Sequence, residues 1–200
     1  MNPIEWIHER FISGRRVETL GRLLVRHLPQ NASLLEVGAG SGELLSWIAT
    51  ERPDLDVTGI DILVREDTEV PIAAFDGETI PYDESSFDVV MFVDVLHHTD
   101  DATVLLKEAR RVARRQILIK DHFVEGLLAE PTLRFMDRVG NERFGVALPF
   151  NYWSRARWLG SFEALELEPV AIEDRLRLYA FPAGLWFNRS LHFVCVLGKA

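Results

Sequence analysis

Residues 87–93, Phe87-Asp88-Val89-Val90-Met91-Phe92-Val93, are apolar at every position but Asp88. A strand with one wet face alternates apolar and polar side chains, whereas a run like this one is dry on both faces. Strands of that kind belong to parallel sheets covered by helices, and the neighbouring sequence agrees. Ser33–Val37, Asp56–Asp61, Pro71–Phe75 and Gln116–Lys120 read as further strands. Between them, residues 41–50 read as a helix, and Ala102, Leu105, Leu106, Ala109 and Val112 form one stripe at three- and four-residue spacing. Strand and helix alternate to residue 120. The pattern predicts an α/β fold: a Rossmann-like open sheet, mostly parallel, with helices on both faces.

The two ends depart from this rhythm. Ile4, Ile7 and Phe11, then Val17, Leu20, Leu24 and Leu28, predict N-terminal helices over residues 1–30, broken at Ser13-Gly14 and ended by Pro29. After residue 121, the stretch His122–Asn151 fits neither a strand nor one clean helix. A helix near Ser154–Glu163 and strands at Glu168–Leu178 and Leu191–Leu197 close the chain, the last strand antiparallel. With 200 residues, the chain is read as a single domain, 1–200, carrying a lid-like insertion at 122–153.

Charge and cysteine content narrow the partners. A net charge of −9 argues against nucleic acid, whose phosphates are bound through Lys and Arg. Arg110, Arg111, Arg114 and Arg115 cluster at a helix C-terminus, where the helix dipole favours positive charge. The single cysteine, Cys195, falls in an alternating run and reads as a buried strand thiol. The first residues, Met1-Asn2-Pro3-Ile4-Glu5-Trp6, lack the basic-then-apolar plan of a signal peptide, and no apolar run approaches the roughly 20 residues that span a bilayer. A cytoplasmic protein that does not span a membrane is expected, with its oligomeric state left open.

The chemistry begins where the first strand turns into a helix, at Glu36-Val37-Gly38-Ala39-Gly40-Ser41-Gly42. Glycines there allow a tight turn and a close approach of ligand to backbone. A dinucleotide fingerprint would place its third glycine at position 43, which is Glu43, and an acid there would oppose a pyrophosphate. The phosphate-loop pattern is absent as well.

This segment resembles the first motif of class I S-adenosylmethionine (SAM)-dependent methyltransferases, of the small-molecule type. Gly59-Ile60-Asp61 ends the second strand, where the family places an acid on the ribose hydroxyls. Asp76-Gly77, with Ile80-Pro81-Tyr82-Asp83 and Ser86-Phe87-Asp88 following, resembles the segment whose Asp binds the adenine amino group. Asp94-Val95-Leu96-His97-His98 is also familiar from small-molecule members. The likeness is close over roughly residues 30–121 and only in outline elsewhere. It implies SAM as cofactor, with Glu36, Gly38, Ala39, Gly40, Gly42, Asp61, Ile62, Asp76, Gly77, Val93 and Asp94 at its site. Glu36, Asp61 and Asp76 suit a ligand that carries a sulfonium, an ammonium and a ribose diol but no phosphate.

Methyl transfer needs an acceptor atom held in line with the leaving sulfur and, for a hydroxyl or protonated amine, a base. In open α/β sheets ligands lie beyond the carboxyl ends of the strands. His98 at the fourth strand and Asp121 and His122 at the fifth are therefore the candidate catalytic groups. His97, Arg134, Asn151, Tyr152 and Trp153 are candidates for the acceptor side. The insertion's aromatics, with Tyr179, Phe181, Trp186 and Phe187, point to a small, partly apolar or aromatic acceptor, methylated on oxygen or nitrogen. Asp94, His97 and His98 are too close together and too few for a metal site, and none is expected. A SAM-binding module without turnover remains an alternative. So does a macromolecule-directed methyltransferase, although Val93-Asp94-Val95-Leu96 lacks an asparagine-proline-type acceptor motif.

Overall fold

The computed structural model describes residues 14–141, 148–179 and 184–199. One seven-stranded sheet runs through it in the order β3-β2-β1-β4-β5-β7-β6. The strands are β1 (Ser33–Val37), β2 (Asp56–Asp61), β3 (Ile72–Ala74), β4 (Phe87–Val93), β5 (Ala113–His122), β6 (Leu167–Glu173) and β7 (His192–Lys199). β1 to β5 pair in parallel, and β7 lies antiparallel between β5 and β6. The mostly parallel sheet with an antiparallel last strand is the expected fold.

Successive side chains of a strand point to opposite faces, and each face has its own cover. Leu35, Val37, Val90, Phe92, Ile117 and Ile119 share one core with the stripe of α3 (Ala102–Val112) and with Trp158 and Phe162 of α5 (Arg155–Ala164). Leu34, Val89, Met91, Leu118 and Val194 share the other with Leu24 of α1 (Gly14–Leu24) and Leu45 and Ile48 of α2 (Glu43–Glu51). Both α3 and α5 start on side-chain caps. Asp101 accepts from Thr103 N–H and Ser154 from Arg157 N–H, satisfying donors that a helix start leaves over.

Two expectations need correction. The stretch after β5 contains a 13-residue helix, α4 (Ala129–Asn141). Its buried positions are Ala129, Thr132, Leu133 and Asp137, at helical spacing but half of them polar, so no apolar stripe shows. Pro131 is tolerated because it stands in the first turn, where its missing N–H is not needed. Second, β6 ends at Glu173 and not near Leu178. Asp174 there accepts from Arg155, and Leu176 turns into the core outside the sheet.

Leu20, Leu24 and Leu28 are buried, and Cys195 lies buried in β7. Ile4, Ile7, Phe11 and Ser13 fall outside the described residues, as do Phe144 and Phe181. The arginine cluster serves the fold. Arg110 pairs with Glu166, Arg111 with Glu108 and the carbonyls of Ile80 and Tyr82, and Arg114 with Asp88. No helix among the described residues is long and apolar enough to cross a membrane. A last short helix, α6 (Gly184–Phe187), precedes β7.

The chain runs outward from β1 to β2 and β3, then returns to β4 on the other side of β1. This reversal opens a crevice at the carboxyl ends of β1 and β4. α1 packs closely on α2, and a glycine permits it. A Cβ at the buried Gly21 of α1 would stand 2.1 Å from the ring of Trp47 in α2. Gly21→Ala should therefore lower the unfolding free energy in urea by about 1–3 kcal/mol, although alanine is the better helix former. A variant as stable as the parent would show that α1 and α2 are not in tight contact.

Candidate active site

A cleft of about 1340 Å³ lies at this reversal. One end is made by the turn after β1. Gly38, Gly40 and Gly42 all have φ near +60 to +80°, a region that costs other residues about 1–2 kcal/mol. The turn is tied to β2: Gly38 and Ala39 donate to the carbonyl of Ile60, and Gly40 donates to Asp61 Oδ2 at 2.7 Å. A Cβ at Gly40 would meet only the Arg65 guanidinium, at 3.6 Å, so this side of the turn faces open space. Gly42 packs instead against Val70, away from the cleft wall.

Three carboxylates surround the turn. Glu36 is 3% exposed, and its Oε2 has no hydrogen-bond partner in the structure. Burial, with Asp61 adding repulsion, pushes the Glu36 carboxyl up to about 8. Asp61 accepts Gly40 N–H and, through Oδ1, Leu63 N–H. Asp76 accepts the N–H groups of Thr79 and Glu78, which hold its carboxyl below the usual range. Ile62, Gly77, Val93 and Asp94 line the same cleft. A buried, unpartnered carboxylate oxygen beside a wall of acids is the acceptor set that an ammonium and a ribose diol require. The residues present therefore fit SAM.

The other end is built from the ends of β4 and β5 and from α4. Asp94, at φ 57°, accepts from Lys120 and, at 2.7 Å, from Arg16. Burial would raise Asp94, but Lys120, His122 and Arg16 outweigh it and hold the carboxyl well below its ordinary value. Asp121, 0% exposed, takes the N–H groups of Leu96 and His122 and lies 2.7 Å from His97 Nδ1. Its oxygens are spent within the protein and do not reach the cleft wall. His122 borders the cleft, with Nδ1 3.2 Å from Asp121 Oδ1 and Nε2 3.7 Å from Asp94 Oδ1. Burial first, and Lys120 second, lower its pKa, so it is neutral at neutral pH. His98 also borders the cleft, lowered by burial and by His97.

His97, 1% exposed, lies behind this wall, its ring 4.1 Å from that of His98. Burial alone would lower it, but Asp121 and Asp137 on its two sides raise it to about 10. Asp137 of α4 lines the cleft, accepts from the Tyr152 hydroxyl and stands 3.3 Å from His97 Nε2. That residue, with Arg16 and Lys120, is absent from the sequence-based site. Nothing in the local pattern marks Asp137, because its partner His97 lies far from it in sequence.

Several acceptor-side candidates prove to be braces. Asn151 donates to the carbonyls of Thr99 and Asp100 and accepts the Trp153 indole N–H. Trp153 is buried against Trp158. Arg134 pairs with Glu130 on the outer side of α4 and lies over Phe150. Tyr152 acts through Asp137. These four do not border the cleft, whose acceptor end is walled among the described residues by Phe135, Met136, Val139, Tyr179 and Phe187.

Residues 35–117 match a family model described as a methyltransferase domain. Over 94 residues the chain is 34% identical to 27-O-demethylrifamycin SV methyltransferase of Amycolatopsis mediterranei, covering 40% of this chain and 34% of that one. Over 174 residues it is 29% identical to sarcosine/dimethylglycine N-methyltransferase of Halorhodospira halochloris, covering 78% and 60%. The chain thus spans less than two thirds of the length of either relative. Among solved structures it is similar to geranyl diphosphate C-methyltransferase from Streptomyces coelicolor, in complex with Mg2+, geranyl diphosphate and S-adenosyl-L-homocysteine. The TM-score is 0.66 at 15% identity, over 92% of this chain and 79% of that one. At that identity the likeness is one of fold.

The raised Glu36 carboxyl has a measurable consequence. Between the ordinary value of 4.5 and about 8 the folded state holds a proton that the unfolded chain releases. Stability therefore falls as pH rises through that window. Glu36→Gln, which cannot ionise, should match the parent near pH ~4 and exceed it near pH ~9 by on the order of 1 kcal/mol or more in urea melts. A difference that does not change with pH would refute the buried, protonated Glu36.

Proposed function

The chain carries a class I SAM-dependent methyltransferase domain, and from that premise we propose that it moves a methyl group from SAM to a small-molecule acceptor. The observation that carries this reading is the glycine turn ringed by Glu36, Asp61 and Asp76, with Glu36 Oε2 buried and unpartnered. Glu36 would accept from the amino-acid end of the cofactor, Asp61 from the ribose and Asp76 from the adenine amino group. Gly38, Ala39 and Gly40 would form the floor, and Ile62, Gly77 and Val93 the sides. Bound there, SAM supplies an electrophilic methyl group on a sulfonium.

The remaining work falls to the protein. The acceptor atom must be held about 3 Å from the methyl, in line with the leaving sulfur and out of water. Phe135, Met136, Val139 and Phe187 give an apolar wall for that purpose, which favours a partly apolar or aromatic acceptor. His122 is the base in this reading. It is neutral, and with Nδ1 turned to Asp121 its basic nitrogen is Nε2. Asp121 touches no part of the cleft and acts by fixing His122 and His97. Oxygen and nitrogen acceptors both fit such a base. The segment at 122–153 would cover the acceptor, within one domain formed by the whole chain.

Calorimetric titration with SAM and with S-adenosylhomocysteine tests the cofactor assignment. We expect binding in the ~1–100 μM range, weakened about tenfold or more by Asp61→Ala, which is at least about 1.4 kcal/mol. Gly40→Val should abolish binding, because its side chain would enter the cleft; the φ of 60° also strains valine, so a lower melting temperature is expected with the far-UV circular dichroism of a folded chain. Binding that neither substitution alters would remove the site from this cleft.

A further inference from the structure

At the acceptor end, metal-ligand types from separate segments converge. His97 and His98 come from the turn after β4, and Asp137 from α4 in the insertion. One donor atom from each lies within 4.8 Å of the other two. His97 Nε2 is buried and faces Asp137 Oδ1 at 3.3 Å, an ion-pair contact without good hydrogen-bond geometry. The ring's other nitrogen is fixed 2.7 Å from Asp121 Oδ1, and Asp121 is itself held by two backbone N–H groups. Asp137 Oδ2 is engaged by the Tyr152 hydroxyl, which turns Oδ1 to the histidine. A carboxylate behind a histidine's second nitrogen and a donor on a carboxylate's second oxygen are the outer supports that metal ligands take.

We propose that His97, His98 and Asp137 bind a first-row divalent cation, zinc by preference, with open coordination positions on the cleft. Two imidazoles and one carboxylate suit such an ion, whereas magnesium and calcium favour oxygen ligands throughout. Three protein ligands with an open position are the plan of catalytic and not of structural zinc. His98 and Asp137 border the cleft, so the ion lies where an acceptor enters. His97, Asp121 and His122 also meet the spacing. That second set is the weaker one, because Asp121 is spent on backbone donors and stands off the cleft wall. Asp94, the carboxylate that precedes the two histidines in sequence, is taken by Lys120 and Arg16. The ligand that completes the set comes from far along the chain, which is why the sequence predicts no metal here.

An acceptor hydroxyl at an open position would be held by its oxygen and would yield its proton more readily to His122, the base of the methyl-transfer reading. This role rests on the methyl-transfer reading; the binding of the ion does not.

Zinc chloride titrated into the chelator-stripped full chain, against a chromophoric chelator and without cofactor, tests the proposal. We expect one equivalent bound with a dissociation constant of ~10 μM or tighter. Asp137→Asn and His97→Gln should each weaken it more than tenfold, and Asp121→Asn by about 10–100-fold. Cobalt(II) should give visible bands that Asp137→Asn removes. This isosteric change keeps the test valid if His97→Gln fails to fold. Zinc that does not bind stoichiometrically, or that binds Asp137→Asn as tightly as the parent, overturns the site. The SAM titration stands apart: SAM binding without a zinc site defeats only this inference, and a zinc site without SAM binding defeats only the methyl-transfer reading.

Discussion

A single buried carboxylate, Asp121, ties together the end of the cleft built from β4 and β5. Removing an ion from water costs several kcal/mol unless donors replace the lost hydration. Asp121 meets that cost with the N–H groups of Leu96 and His122 and with the rings of His97 and His122. The backbone bonds tie the turn after β4 to the end of β5, so two strand ends that approach only side by side become one rigid wall. The ring bonds carry that order further. His97 passes it to Asp137 and Tyr152, and so to the insertion, while His122 sets its basic nitrogen. Without this carboxylate, the Lys120–Asp94 pair and the Asn151 bonds to the His97, Thr99 and Asp100 carbonyls would remain, but the His97 and His122 rings would lose the group that orients them.

The cofactor half depends on a different device. There the order is carried by backbone: Gly40 N–H meets Asp61, and Gly38 and Ala39 meet Ile60, so the ends of β1 and β2 define the turn between them. A turn stabilised in this way has left-handed residues at the alternate positions 38, 40 and 42, and glycine supplies them. The two halves thus differ in what a substitution disturbs. One is built from dihedral angles and short backbone bonds, the other from charges in a dry interior.

That difference explains what the sequence allows one to read. The sheet is legible because β1 and β4 are buried on both faces, a condition that leaves near-continuous apolar runs. The glycine turn and the acids after β1 and β2 are legible because they sit at fixed places on those strands. Asp137 is not, since its value lies in meeting His97 across the fold, and no local pattern records such a meeting. Arg134, Asn151 and Trp153 mislead for the same reason. Polar and aromatic types in an irregular segment suggest a pocket, but Asn151 caps two carbonyls and Trp153 fills the core. The end of β6 escapes notice because an exposed edge strand and the extended coil beyond it share the same composition.

The charges of the two ends complete the argument. At the acceptor end Asp94, Asp121 and Asp137 are balanced by Arg16, Lys120 and a protonated His97, all in contact or one residue removed. At the cofactor end Glu36 has no such counter-charge, and its carboxyl keeps a proton near neutrality for want of one. A cation bound beside Glu36, Asp61 and Asp76 would supply the missing counter-charge and displace that proton, whereas an uncharged molecule is tolerated at the other end. A cationic methyl donor and a neutral acceptor match that division. A divalent ion in place of the His97 proton would leave the acceptor end one unit positive, the sign that holds an acceptor oxygen as it loses its proton.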